Sequence, residues 1–281
     1  MLRQALNVSG EASKDPKVRR QALILTSLAF ESLDFGKTPA FNSNHAFRSV
    51  QEASGCSDPY TRKKAESNAR ALELLPGMER LVRESSDKLR TAALVAVAGN
   101  IIDFGISDGS PLRLEEELAD VLSSGFAVDD TDLLRSFLDM PRKIVYLADN
   151  AGEIVFDREL VRFLVQSGHS VSVAVHSGPV LNDAMMADAE ASGMVSVAEV
   201  VGTGSICIGL EESDCTESFR GTVKGADLVI AKGQGNFETV SSASWFSAET
   251  YLILKAKCLP VARELGVGLG RVVLKRKDKR V

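Results

Sequence analysis

Apolar positions recur along this chain with two different spacings. Up to about residue 140 they return at helical intervals, which marks helices with one buried stripe. The spacing predicts an amphipathic helix over 19–32 and a second opened by Pro59 and Tyr60 that runs through Ser67, Asn68 and Ala71 to Leu75. A third, rich in alanine and valine, covers 90–102, with shorter pieces at 112–122 and 133–138; no alternating strand stands out in this half. After Pro141 the pattern becomes short apolar runs at 143–148, 170–176, 195–201 and 227–232, with helical stretches between the first three and between the last two. The run 251–257 predicts a fifth strand and 271–275 a short edge strand. Strands alternating with helices imply right-handed crossovers and a mainly parallel sheet. The expected fold class is therefore α/β: a helical N-terminal subdomain over 1–140, then a Rossmann-like three-layer α/β/α domain over 141–281.

Polar residues in the second half gather just after the strands. The first run leads into Asp149-Asn150-Ala151-Gly152-Glu153 and the second into His176-Ser177-Gly178-Pro179, then Asn182-Asp183. The third leads into Gly202-Thr203-Gly204-Ser205 and the fourth into Lys232-Gly233-Gln234-Gly235-Asn236-Phe237-Glu238. In a parallel sheet all four turns lie on one rim, where the crevice of an open α/β fold forms. Carboxylates and an amide are the oxygen ligands a hard divalent cation prefers. Glycine-rich amides and a lysine suit an anion. Together they point to phosphoryl chemistry.

Each piece also has a plainer reading. Asp149-Asn150 and Asp183 could cap the helices that follow them, and Lys232-Gly233-Gln234-Gly235-Asn236 could be a tight turn. Gly202-Thr203-Gly204 resembles part of a dinucleotide fingerprint, but Gly209 is misplaced as its third glycine and no acidic residue closes an obvious second strand at the required distance.

Composition narrows the class of protein. At 281 residues, 44% hydrophobic and 25% charged, the chain has the make-up of a soluble globular protein able to bury a sizeable core. No run approaches the roughly 18 apolar residues of a membrane span, and Met1-Leu2-Arg3-Gln4-Ala5 lacks the apolar core of a signal peptide. A cytoplasmic protein without a membrane partner is expected. The net charge of −5 argues against nucleic acid as the main partner; the basic tail from Lys275 to Arg280 reads as a solvated terminus. Cys56, Cys207, Cys215 and Cys258 form no CxxC pair, and His45, His169 and His176 are too scattered for a histidine zinc site. Nothing in the sequence reports an oligomeric state.

Taken together, these segments resemble the metal-dependent damage-control phosphatase family, formerly a domain of unknown function, in its compact microbial branch. The resemblance spans most of the chain. It rests on Asp58-Pro59-Tyr60 with Lys64, Ser67 and Asn68; on Ala98-Gly99-Asn100-Ile101-Ile102-Asp103-Phe104-Gly105; on Asp149-Asn150-Ala151-Gly152-Glu153 with Phe156-Asp157; on Asn182-Asp183; and on the motif from Lys232 to Glu238. Many compact relatives carry a Cys-x-x-Cys pair just before a segment like Leu2-Arg3-Gln4-Ala5; this chain begins at that segment, so no role of that pair carries over.

The resemblance implies a divalent cation (magnesium, manganese, cobalt or nickel) held by Asp149, Asn150 and Asp183, with Lys232 on the phosphate. It also implies hydrolysis of small phosphorylated metabolites, including phosphosugars and damaged or side-product compounds. Asn100 and Asp103 are candidates to reach the pocket from the helical part, or to form a capped helix end at Gly105. Glu153, Gly233, Gln234, Gly235 and Asn236 complete the expected substrate contacts. The nucleophile is either metal-associated water or the Asp149 carboxylate. Two other classes stay open: a non-catalytic metal- or nucleotide-binding module, and an S-adenosylmethionine-dependent carboxyl methyltransferase.

Overall fold

The structure, a computed structural model, describes residues 1–99 and 119–278. The first part is helical: α1 (Leu2–Ala12), α2 (Pro16–Leu28), α3 (Pro39–Ser54), α4 (Thr61–Glu84) and α5 (Lys88–Ala98). Then follow β1 (Val128–Asp129), α6 (Thr131–Phe137), β2 (Lys143–Leu147), α7 (Glu153–Gln166), β3 (Ser170–Val175), α8 (Met186–Ala191) and β4 (Glu199–Gly202). The chain closes with α9 (Glu217–Lys224), β5 (Leu228–Lys232), α10 (Gly233–Val240), β6 (Glu249–Lys255), α11 (Leu259–Leu265) and β7 (Val272–Arg276).

One seven-stranded sheet runs in the order β1-β7-β6-β5-β2-β3-β4. The five strands from β6 to β4 are mutually parallel, whereas β7 pairs antiparallel with β6 and β1 pairs parallel with β7. The expected α/β architecture is therefore present, with two corrections. The strand at 271–275 is not the edge, because β1 covers its outer side. That edge strand comes from the half read as wholly helical; two residues are too few to show a period-2 pattern.

Strand side chains alternate between two cores. Ile144, Tyr146, Val173, Ile230 and Ile253 face one layer, formed with α4, α5 and α7, and Val145, Leu147, Ala174, Val229 and Leu252 face the other, under α9, α10 and α11. Helix α5 is buried nearly all round, with Leu89 and every residue from Ala92 to Ala98 covered. A helix apolar on all sides belongs in a core, and its alanines let it approach α7 closely. The first core thus draws residues from both sides of position 140.

Helices α1 to α3 pack on one another around Ala5, Val8, Ala22, Phe47 and Val50, with Tyr60 and Leu181 against them. Neither α1 nor α3 was expected, though α3 carries the local signals. Thr38 accepts from the Phe41 N–H, Pro39 occupies the first turn, and Gly55 ends the helix in the left-handed conformation. Helix α4 continues through Pro76, where the sequence suggested a stop at Leu75; burial of Val82 beyond the proline anchors the added turns.

Candidate functional site

Strand β2 has β3 on one side and β5 on the other, so the chain leaves β2 in one direction and returns past it in the other. That is a topological switch point, and a crevice opens there at the carboxyl ends of the strands. A cavity of about 160 Å³ occupies it, lined by Asp149, Asn150, His176, Leu181, Asn182, Asp183, Ile208, Gly209, Gln234, Gly235, Asn236 and Lys257.

Backbone pairing brings the two aspartates together. Asn150 and Asp183 form an isolated antiparallel bridge; the Ala151 N–H donates to Asn182 O (2.9 Å) and the Ala184 N–H to Asp149 O (2.8 Å). Neither aspartate is a helix cap. The residue before α7 is Gly152, with no capping side chain, and α8 begins after Met185, whose N–H donates to Asp188 Oδ2 at 2.9 Å. Asp149 and Asp183 are thus left to face the cavity.

The first long motif braces this loop from below. Asn68 donates to Asp188 Oδ1 (2.8 Å) and accepts from the Gly152 N–H (2.7 Å), and Lys64 pairs with Asp58 (2.7 Å). Gly152 has φ +80°, and a Cβ there would lie 2.9 Å from Ser67 Cβ, so only glycine lets the turn rest on α4. Gly233 is constrained from the other side: φ is +82°, and a Cβ would overlap the Asp149 carboxylate.

Beneath the cavity, Asn150 Nδ2 donates to Asp149 Oδ2 (3.0 Å) and to Glu153 Oε1 (2.8 Å). Lys232 lies under these residues, 1% exposed. Its ammonium donates to Ala96 O (2.9 Å) and Asp157 Oδ1 (2.7 Å) and pairs with Glu153 Oε2 (3.4 Å), while Tyr146 donates to the same Asp157 oxygen at 2.7 Å. Lys232 therefore corrects the expectation that it meets a phosphate, since its charge is directed into the protein. The lysine on the cavity wall is Lys257, just beyond β6. Reading 251–257 as one strand hid it, although Cys258-Leu259-Pro260 signals a helix start close by.

Burial pushes the Asp149 carboxyl well above the usual carboxylate range; Glu153 and Asp183 add to the shift, and Lys257 and Lys232 oppose it. Burial likewise raises Asp157 to about 6, against the pull of Lys232. Burial disfavours the Lys232 charge, but Asp157 and Glu153 outweigh it and raise that group. His176 Nε2 lies 3.2 Å from Asp183 Oδ2, and its Nδ1 lies 3.4 Å from Ser205 O.

Of the two turns that carry a pair of glycines, one is used internally. The Gly204 N–H donates to Ser177 Oγ (2.6 Å) and the Thr203 N–H to Val175 O (2.9 Å). The other opens α10, whose first turn, from Gly233 to Gly235, has no side-chain cap and meets the cavity. Gln234 and Asn236 also line it, but their amides hold structure: Gln234 Oε1 accepts from the Lys257 N–H (3.1 Å) and Asn236 Nδ2 donates to Ala148 O (3.1 Å). Asn100 and Asp103 lie outside the described residues.

Architecture and crevice are those of an open, switch-point α/β protein. More narrowly, the chain belongs to the family described as the damage-control phosphatase ARMT1-like domain, whose model it matches over residues 1–273. It is 32% identical over 278 residues to a damage-control phosphatase of Pyrococcus horikoshii, covering 98% of this chain and 95% of that one. To a damage-control phosphatase of Archaeoglobus fulgidus it is 34% identical over 233 residues, covering 81% and 79%. An uncharacterised protein of Methanocaldococcus jannaschii is 33% identical over 284 residues, covering 98% and 93%. The crystal structure of a DUF89-family protein from Pyrococcus horikoshii superposes with a TM-score of 0.88 at 31% identity, covering 99% of this chain and 96% of that one.

Proposed function

We propose that this chain is a metal-dependent phosphatase for small phosphorylated metabolites such as phosphosugars or damaged side products. The observation that carries this reading is the cavity itself. Asp149, Asn150 and Asp183 share its wall with Lys257 and the amino end of α10.

Among the described residues no three His, Cys, Asp or Glu side chains converge as a metal cluster. The donor set proposed is instead two carboxylates and one amide, which suits a hard cation that completes its shell with water or substrate oxygens. Burial first, and then the neighbouring Glu153 and Asp183, raise the Asp149 carboxyl; a cation placed among these groups would offset the cost of its buried charge and relieve the repulsion, which supports the fit. When bound, the cation would neutralise phosphate oxygens and the charge of an in-line displacement. Lys257 supplies a second positive charge to the transferred group. The first-turn N–H groups of α10 offer further donors, as helix amino ends do for phosphate.

The test is hydrolysis of para-nitrophenyl phosphate by metal-stripped protein, with magnesium, manganese, cobalt or nickel added back. Turnover should appear only with metal and vanish in Asp149→Ala and Asp183→Ala, both folded. Full metal-dependent turnover in both variants removes the site. Labelled phosphate trapped on Asp149 identifies it as the nucleophile; a single inversion of configuration at phosphorus, with no adduct, identifies direct attack by water.

A further inference from the structure

Asn150 sits between two carboxylates, and its amide has one orientation that both can accept. The Nδ2 group donates to Asp149 Oδ2 at 3.0 Å and Glu153 Oε1 at 2.8 Å. Turned over, the amide would set its oxygen against the Glu153 oxygen in place of a hydrogen bond to it, and against the Asp149 oxygen as well once a cation has displaced the Asp149 proton. Asn150 is 5% exposed and its residue lines the cavity, so with Nδ2 held below, Oδ1 is the polar atom left for the cavity side.

Glu153 can hold that amide because it is itself held. It is 1% exposed, at the first position of α7, with Lys232 Nζ 3.4 Å from its other oxygen. Lys232 is fixed in turn by Asp157 at 2.7 Å and by the Ala96 carbonyl of α5 at 2.9 Å. A buried carboxylate needs such a counter-charge and its hydrogen bonds. The line Ala96–Lys232–Glu153–Asn150 therefore runs from the helical part of the chain to the cavity wall.

We propose that Glu153, anchored by Lys232, is a positioning residue that locks the Asn150 amide with its oxygen toward the cation, rather than a group that touches substrate. The inference rests on the phosphatase reading for the presence of a cation and goes beyond it in assigning what orients the ligand. Partners of metal ligands typically govern affinity by about 10- to 100-fold when removed.

The experiment is manganese binding by calorimetry, without substrate, to the wild-type chain, Glu153→Ala and Glu153→Gln, with kcat and KM measured alongside. In Glu153→Ala the affinity should fall at least about tenfold. Glu153→Gln should restore most of it, because the glutamine oxygen can still accept from Nδ2. KM for the phosphate ester at saturating metal should stay within about threefold of wild type in Glu153→Gln, whereas a substrate contact would raise it. Wild-type affinity in a folded Glu153→Ala would overturn the proposal and leave the phosphatase reading standing. No manganese binding by the wild-type chain would overturn both. Should Glu153→Ala fail to fold, the wild-type chain answers by nuclear magnetic resonance. The Asn150 side-chain amide protons should exchange slowly with solvent, and exchange as fast as that of a free amide would overturn the proposal.

Discussion

Lys232 ends β5 with its ammonium turned into the protein, whereas Lys257, just past β6, lines the cavity. The two lysines should respond differently to truncation. Lys232→Met leaves Glu153 and Asp157 buried without their counter-charge, a loss of about 3–5 kcal/mol. Lys257→Ala should leave the urea midpoint near wild type and raise KM for a phosphate ester about tenfold or more. A stable Lys232→Met protein with a raised KM, beside an unaffected Lys257→Ala, would reverse the two assignments. Asp149 sets a second expectation at this scale. Its raised carboxyl keeps a proton at pH values where a free aspartate near 3.8 has lost it. A cation must displace that proton, so affinity should rise with pH until the group ionises on its own. Calorimetry in two buffers of different ionisation heat should read the released proton; affinity independent of pH with no release would count against Asp149 as a ligand. Residue types and spacing marked Asp149, Asn150 and Asp183 as candidates in the sequence, and the structure sets all three on the cavity wall. The direction of Lys232 was not legible there, because a lysine at a strand end reads alike whether its amine turns to the crevice or to a buried aspartate.

Element by element, the loops carry the site and the sheet sets their spacing. Gly233 marks the tightest approach, between the start of α10 and the loop after β2. Gly233→Ala meets both a left-handed backbone at φ +82° and the Asp149 carboxylate. It should cost about 100-fold in kcat by displacing Asp149, with the circular dichroism spectrum kept. A Gly233→Ala protein with wild-type kcat would refute the close approach. Strands β2, β5 and β6 were legible because buried strands read as continuous apolar runs, whereas β4, at the sheet edge, has no buried position and starts at Glu199, four residues into the run at 195–201. Strand β1 was too short to register, and the antiparallel setting of β7 depends on pairing partners that no local pattern specifies.

For the molecule as a whole, a cation bound only by the folded state should add stability by mass action. At about 100 times its dissociation constant the gain is about 2.7 kcal/mol, several degrees in Tm. Differential scanning calorimetry should show the rise in the wild-type chain and none in Asp149→Ala; equal shifts in both would place the stabilising cation elsewhere. Among the described residues no helix is long and apolar enough to cross a membrane, in keeping with a composition that has no such run.

The alternation of helices and strands, the common rim on which the polar turns fall, and the candidate side chains for a cation and a phosphate can all be read from the chain alone. These follow from local period and residue type, which the chain carries at every position. Tertiary structure decided which of those side chains meet. Asn68 reaches the Gly152 amide and Asp188, Ala96 caps the Lys232 ammonium, and Lys257 joins Asp149 on one wall. Such contacts join residues tens to more than a hundred positions apart. They depend on the order of strands in the sheet and on where each buried charge finds its partner, and neither is written in any local stretch of the chain.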